Sequence, residues 1–238
     1  MSEYSPVWPH GEIIKEFEGI YVVRGSNITH FENKKIQHSR NMTIIASNGD
    51  LALINTVRLN EDGLRALDTL GDVKHVIRIG AFHGRDDPFY LDRYKACLWT
   101  VQPREHANAP HHSSTQYLKD ADKLPIKNTQ FFMFKNATPA EGFLYLDNDE
   151  GIIISCDSIK NWVSVDQFFS EETAKMAISQ GEIAKARISP IWLKATGVQG
   201  NDFTHLLKLK FKHLISAHGD VLRNTAYEDV KNSVRQVN

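Results

Sequence analysis

The sequence predicts an α+β domain in which two β-rich layers pack face to face with helices outside. Three observations lead there. Short runs rich in β-branched and aromatic residues alternate with segments of helical periodicity. The order, strands and then helices, occurs twice along the chain. No Gly/Ser-rich linker divides the two halves, so residues 19–238 are expected to form one domain behind an extension of residues 1–18.

The elements follow in order. Residues 19–25 form a β-branched and aromatic run closed by glycine, which predicts a strand. The apolar runs 42–47 and 51–57 flank Asn48-Gly49-Asp50. Asn-Gly supplies the positive φ angles of a tight turn, so a hairpin is predicted. Leu64, Leu67 and Leu70 recur at helical spacing within 60–70, and Gly71 ends that helix. A strand is expected over 73–79. Asp87-Pro88 resembles an N-cap followed by proline in the first turn of another helix. A short strand, 98–101, precedes a loop over 102–127 that is too long for a simple connector. Three strands are predicted at 130–135, 142–146 and 151–155. A helix over 171–186 carries Ala174, Ala177 and Ile178 on one face. A further helix is expected over 202–209, a buried strand over 214–217 and a terminal helix over 226–237.

Composition excludes several classes of protein. Apolar residues make up 41% of the 238 and charged residues 24%, a globular balance that argues against disorder. Lys and Arg number 28 against 29 Asp and Glu. This near-neutrality gives no footprint for nucleic acid and no general attraction to anionic membranes. Lys208, Lys210 and Lys212 make only a small basic patch, read as a solvated helix face. Cys97 and Cys156 cannot build a disulfide framework. Residues 1–10 are polar, hold two prolines and do not look like a secretory signal, so a cytoplasmic location is expected. A small-molecule substrate or ligand is the expected partner, with no nucleic acid and no membrane; the oligomeric state is not legible.

Four groups suited to metal or acid–base chemistry stand just past predicted strands: His83, Asp87, Asp157 and His218. Strand exits let a scaffold aim side chains into one cleft, and His with Asp suits zinc, iron or manganese. Taken one at a time, each has a structural explanation. Asp87 can cap a helix, Asp157 can sit in a turn, His218-Gly219 can close a strand and His83 can be a hydrogen-bonded loop residue. His106, His111 and His112 lie in the long loop, from which a replacement ligand could come. Cys156 follows an apolar run, as a buried, inert thiol would.

The order of elements resembles the metallo-β-lactamase fold superfamily. The likeness is carried by the hairpin MTIIASNGDLALINTV, the helix and strand LRALDTLGDVKHVIRIG, and three motif positions. AFHGRDDPFY stands where the superfamily has His-x-His-x-Asp-His, IISCDSI where it has an aspartate after a strand, and LISAHGDVL where it has the closing histidine. The resemblance implies a four-layer αββα sandwich with a metal site at one edge of the two sheets. It implies His83, Asp87, Asp157 and His218 as metal ligands. Arg85 and Pro88 replace two of the expected histidines, and the segment Thr138 to Gly142 lacks the intermediate one.

A guanidinium about 5 Å from a divalent ion is repelled by roughly 7 kcal/mol at an effective dielectric near 20, so a second metal beside Arg85 is disfavoured. Two alternatives follow. In the first, one divalent metal (Zn, Fe or Mn) is held in a hydrolase. Asp87 then orients or deprotonates water, and Arg85 stabilises developing negative charge. In the second, no metal is bound. Arg85 pairs with Asp87 or Asp157, and the chain is a non-catalytic scaffold or binding protein.

Overall fold

The computed structural model describes residues 4–31, 33–101 and 114–237. The elements run β1 (Ile14–Phe17), β2 (Ile20–Phe31), β3 (Lys34–Ser47), β4 (Asp50–Ile54), α1 (Glu61–Asp68), β5 (Asp72–Arg78), α2 (Asp87–Tyr94), β6 (Cys97–Thr100) and β7 (Thr115–Tyr117). Then come β8 (Thr129–Met133), β9 (Gly142–Leu146), β10 (Ile152–Ser155), β11 (Ile159–Lys160), α3 (Glu171–Ser179), β12 (Arg187–Ile188), α4 (Pro190–Thr196), β13 (His213–Ser216) and α5 (Ala226–Arg235). Strands β1 to β7 form one sheet in sequence order, and β13-β10-β9-β8 form a second.

Strand alternation generates the layers. Side chains point alternately to the two faces of a strand, so Ile54, Ile152 and Ile154 enter an apolar layer between the sheets, with Ile20, Ile77, Phe131, Leu144 and Ile215. Their neighbours Leu53 and Ile153 face outward. Leu53 joins an apolar cluster that includes Leu64 and Leu67 of α1 and Tyr90 of α2. Ile153 joins another that includes Trp192 of α4 and Val230 of α5. Three apolar layers between four structural layers make the αββα sandwich.

The hairpin forms as predicted. Ser47 pairs with Asp50, and Asn48 and Gly49 have φ of 54° and 87°, which a tight hairpin turn requires. Asn60 caps α1, its side chain accepting from the Gly63 amide.

Several expectations are corrected. The cap of α2 is Asp86, and Asp87 is already helical. Helix α3 stops at Ser179, because Gly181 takes a left-handed φ of 69° and turns the chain; Ile178, expected on the inner face, is 59% exposed. The helix expected over 202–209 is two 3-10 turns, Gly200–Phe203 and Leu206–Lys208. The three lysines of the basic patch are exposed, but Lys210 and Lys212 lie on non-helical chain. Helix α4 was not foreseen, although Ser189 before Pro190 is a capping signal. Strands β2 and β3 reach well beyond the apolar runs, pairing as far as Phe31 with Lys34. Ile14–Phe17, ahead of residue 19, pairs with β2 at the sheet edge. Within the 102–127 loop, Thr115–Tyr117 pairs with β6. His106, His111 and His112 lie outside the described residues. No helix among the described residues is long and apolar enough to cross a membrane, and Cys97 and Cys156 are free.

Candidate metal centre

Asp157 and His218 meet because their strands are parallel neighbours in register. Ser155 pairs with Ser216 at the ends of β10 and β13, and each strand places its candidate ligand two residues further on. The exits are pinned locally. The Ser155 and Ser216 hydroxyls both donate to Ile159 O at 2.7 Å. The His218 amide donates to Ser216 Oγ at 3.0 Å. Asn41 donates to Ser216 O and Gly219 O. His83 arrives from the other sheet, on the loop after β5. That loop is tied across by the Gly142 amide on Ile79 O and the Ala81 amide on Ala140 O.

Three candidate ligand side chains converge. His218 Nε2 is 2.9 Å from Asp157 Oδ1, His83 Nε2 is 3.3 Å from Asp157 Oδ2, and the two imidazole Nε2 atoms are 3.3 Å apart. His218 Nδ1 lies 3.1 Å from Ser39 O. A carbonyl only accepts, which assigns the His218 proton to Nδ1 and leaves Nε2 as a bare lone pair in the neutral ring. Burial lowers the His218 pKa, outweighing the opposing pull of Asp157, so the neutral ring is favoured. Burial opposes ionisation of Asp157, yet the facing His83 imidazole, by charge attraction and a hydrogen bond, holds its carboxyl well below the usual range. The described residues therefore turn two imidazole nitrogens and a carboxylate toward one another. Among the described residues the Asp157 carboxylate lies at salt-bridge distance from these two histidines and from no lysine or arginine, and buried His83 Nδ1 has no hydrogen-bond partner.

One proton can serve one of these facing pairs; a divalent cation serves all three. The spacing fits such an ion. Atoms about 2.0–2.1 Å from a tetrahedral zinc lie roughly 3.3 Å apart; the two imidazole nitrogens here are 3.3 Å apart, and each faces a different oxygen of Asp157, at 2.9 and 3.3 Å. The residues present thus suit one metal ion. Cys156 also stands within 4.8 Å of the His83 and Asp157 ligand atoms, its thiol pKa pushed up by burial and by Glu141 and Asp157.

Asp87 and Arg85 are placed elsewhere. The Asp87 carboxylate accepts from Thr56 Oγ1 at 2.6 Å and faces Arg78 Nε at 3.5 Å. Arg78, from β5, is the cation facing its buried charge, although Asp87 Oδ2 makes no hydrogen bond among the described residues. Arg85 pairs with neither Asp87 nor Asp157. It is exposed, donates to Ile28 O at 2.7 Å and lies over the Trp8 ring. The carboxylate beside it, Asp86, is taken by buried Arg40, by Ser5 and by the Arg58 amide.

Two residues around the site were missed. Glu141 is 1% exposed. Burial and the charge of Asp157 push its pKa up to about 8, against the Ser158 and Trp192 donors. A lone acidic residue in a Pro-containing loop gives no sequence signal of such a role. His38 packs against His218 with ring centroids 5.4 Å apart, and burial, with His218 beside it, lowers its pKa to about 3. Trp162 covers His218 at 4.8 Å and donates to Ser39 Oγ.

No protein-family model and no curated protein matches the chain. Solved structures do. The metallo-β-lactamase DIM-1, exposed to ceftazidime, is 12% identical over 98% of this chain and 100% of its own, with a TM-score of 0.61. FIM-1 from Pseudomonas aeruginosa, in its mono-zinc form, is 12% identical over 99% and 97%, with a TM-score of 0.54. A metallo-β-lactamase from Erythrobacter litoralis is 10% identical over 97% and 96%, with a TM-score of 0.58. At these identities the likeness establishes architecture, and it agrees with the layers and strand order above: the chain has the metallo-β-lactamase fold.

Proposed function

We propose that the protein is a metal-dependent hydrolase with a mononuclear site in which His83, Asp157 and His218 hold one divalent ion. The observation that carries this is the mutual approach of their two imidazole nitrogens and the Asp157 carboxylate, with the second nitrogen of His218 committed to a carbonyl. Zinc is the first choice, since His and carboxylate ligands suit it and FIM-1 was solved with one zinc. A metal ion there would lower the pKa of a bound water toward ~7 and polarise a scissile bond. The chain's own part is to hold the imidazoles in one tautomer and to keep Asp157 ionised. Arg85, exposed and two residues from His83, would turn from its bond to Ile28 O to meet an anionic group of the substrate. Asp87 keeps a supporting part, since Thr56 and Arg78 already engage its carboxylate. The substrate is a small molecule with an ester, thioester, lactone or phosphodiester bond, and the free thiols suit a reducing, cytoplasmic setting.

A second reading, a scaffold that binds no metal, has one observation in its favour: Asp86 and Asp87 already pair with Arg40 and Arg78. A hydrolysis screen over those four bond types separates the two. Activity that zinc restores after chelation, and that His83→Ala and His218→Ala abolish, supports the hydrolase. Hydrolysis indifferent to both variants contradicts it.

A further inference from the structure

We infer that Glu141 is the positioning residue that fixes the Asp157 loop against the His83 loop; the inference rests on the metal-site reading above. The two oxygens of Glu141 are both committed. Oε1 accepts from the Ser158 amide at 2.7 Å, the residue directly after Asp157. Oε2 accepts from Trp192 Nε1 at 2.8 Å, on α4. Its backbone holds the other loop: Glu141 bridges Gly80, and its neighbours bond Ile79 and Ala81. One residue therefore joins two of the three loops that supply candidate ligands.

The packing is close enough to dictate the neighbouring residue type. A Cβ at position 80 would lie 2.6 Å from Cys156 Sγ and 3.0 Å from Glu141 Oε2, so only glycine lets the strand end approach this carboxylate. Glu141 forms no ion pair with any lysine or arginine among the described residues. Its two partners are N–H donors, which only an acceptor at both oxygens satisfies. The ionised carboxylate meets that demand, and the two donors pull toward that form against burial and the charge of Asp157. A carboxamide does not, because its NH2 would face one of the two donors.

The test compares the 238-residue protein with Glu141→Gln. Zinc affinity is measured by competition with a chromophoric chelator, the visible spectrum is recorded with Co(II) in place of zinc, and urea unfolding is followed in parallel. We expect Glu141→Gln to stay folded, to bind zinc about 10-fold or more weakly and to shift the Co(II) bands. Affinity within twofold of wild type with unchanged bands would overturn the inference. If wild type binds no zinc, the metal reading fails by itself, and Glu141 is judged on the metal-free protein. There the imidazole 15N shifts of His83 and His218 should move in Glu141→Gln, and unmoved shifts overturn the inference. If Glu141→Gln does not fold, Trp192→Phe, which frees Oε2 alone, is judged by the same affinity and 15N criteria, with a smaller change expected.

Discussion

Removing the Asp86 carboxylate should destabilise the protein far more than removing the Arg85 guanidinium. Asp86 is 2% exposed and its partner Arg40 is 4% exposed. The Asp86 carboxylate also accepts from Ser5 and from the Arg58 amide at 3.0 Å. In Asp86→Ala the buried Arg40 keeps, among the described residues, Thr56 O at 2.6 Å, and its charge is uncompensated. Breaking a buried pair in this way costs about 3–5 kcal/mol, or roughly 6–20 °C in Tm at about 2–4 °C per kcal/mol for a chain of this size. Arg85→Ala loses one bond to Ile28 O and an exposed stacking contact with Trp8, about 1 kcal/mol or less. Asp86→Ala/Arg40→Met should recover much of the loss, because an apolar replacement for both partners leaves no orphan charge. Urea unfolding followed by tryptophan fluorescence measures all three variants. An Asp86→Ala loss below about 1 kcal/mol, or an Arg85→Ala loss exceeding it, would refute the assignment of Arg40 as the compensating charge.

Three further outcomes are expected. His38 has a folded pKa of about 3 against roughly 6.5 unfolded, so its contribution is full above ~6.5 and is lost as pH falls toward 3; His38→Gln should flatten that limb of the stability profile. In metal-free protein the depressed Asp157 carboxyl contributes stability above its unfolded value of ~3.9, which is lost as pH falls through the folded value; Asp157→Asn should remove this acid dependence in urea titrations below pH 4. Gly219→Ala places a Cβ 2.1 Å from Asn161 O at a φ of 96°; it should cost at least about 1–3 kcal/mol by thermal melt and weaken any metal binding at His218, and a wild-type melt would contradict the backbone description.

The sequence made the local geometry legible wherever chemistry and periodicity coincide. Asn48-Gly49 specified its hairpin because few other dipeptides tolerate two positive φ angles. His83, Asp157 and His218 were legible as strand-exit groups, and β10 and β13 bring two of them together by parallel register. What stayed hidden was non-local. Arg40 and Arg78 lie on strands 46 and 9 residues from their aspartates, so adjacency favoured Arg85, which only the folded chain shows turned toward Ile28. The outer half of the β2–β3 ribbon is polar, with Ser26, Asn27, Thr29, Lys34, Lys35 and Gln37, and lacks the apolar alternation by which strands are recognised. Ile178 fits a helical stripe, but the face of α3 that is buried runs through Thr173 and Ala177, which turns Ile178 to solvent.

The decisive measurement is the metal content of the wild-type protein after saturation with zinc and removal of free ions, by elemental analysis beside His218→Ala. The expected result is close to one zinc per chain in wild type and little in His218→Ala, with a rise in wild-type Tm of roughly 5–10 °C at a free zinc concentration 100 times Kd. No zinc in wild type, two zincs per chain, or one zinc that survives His218→Ala unchanged would contradict a single ion held by His83, Asp157 and His218.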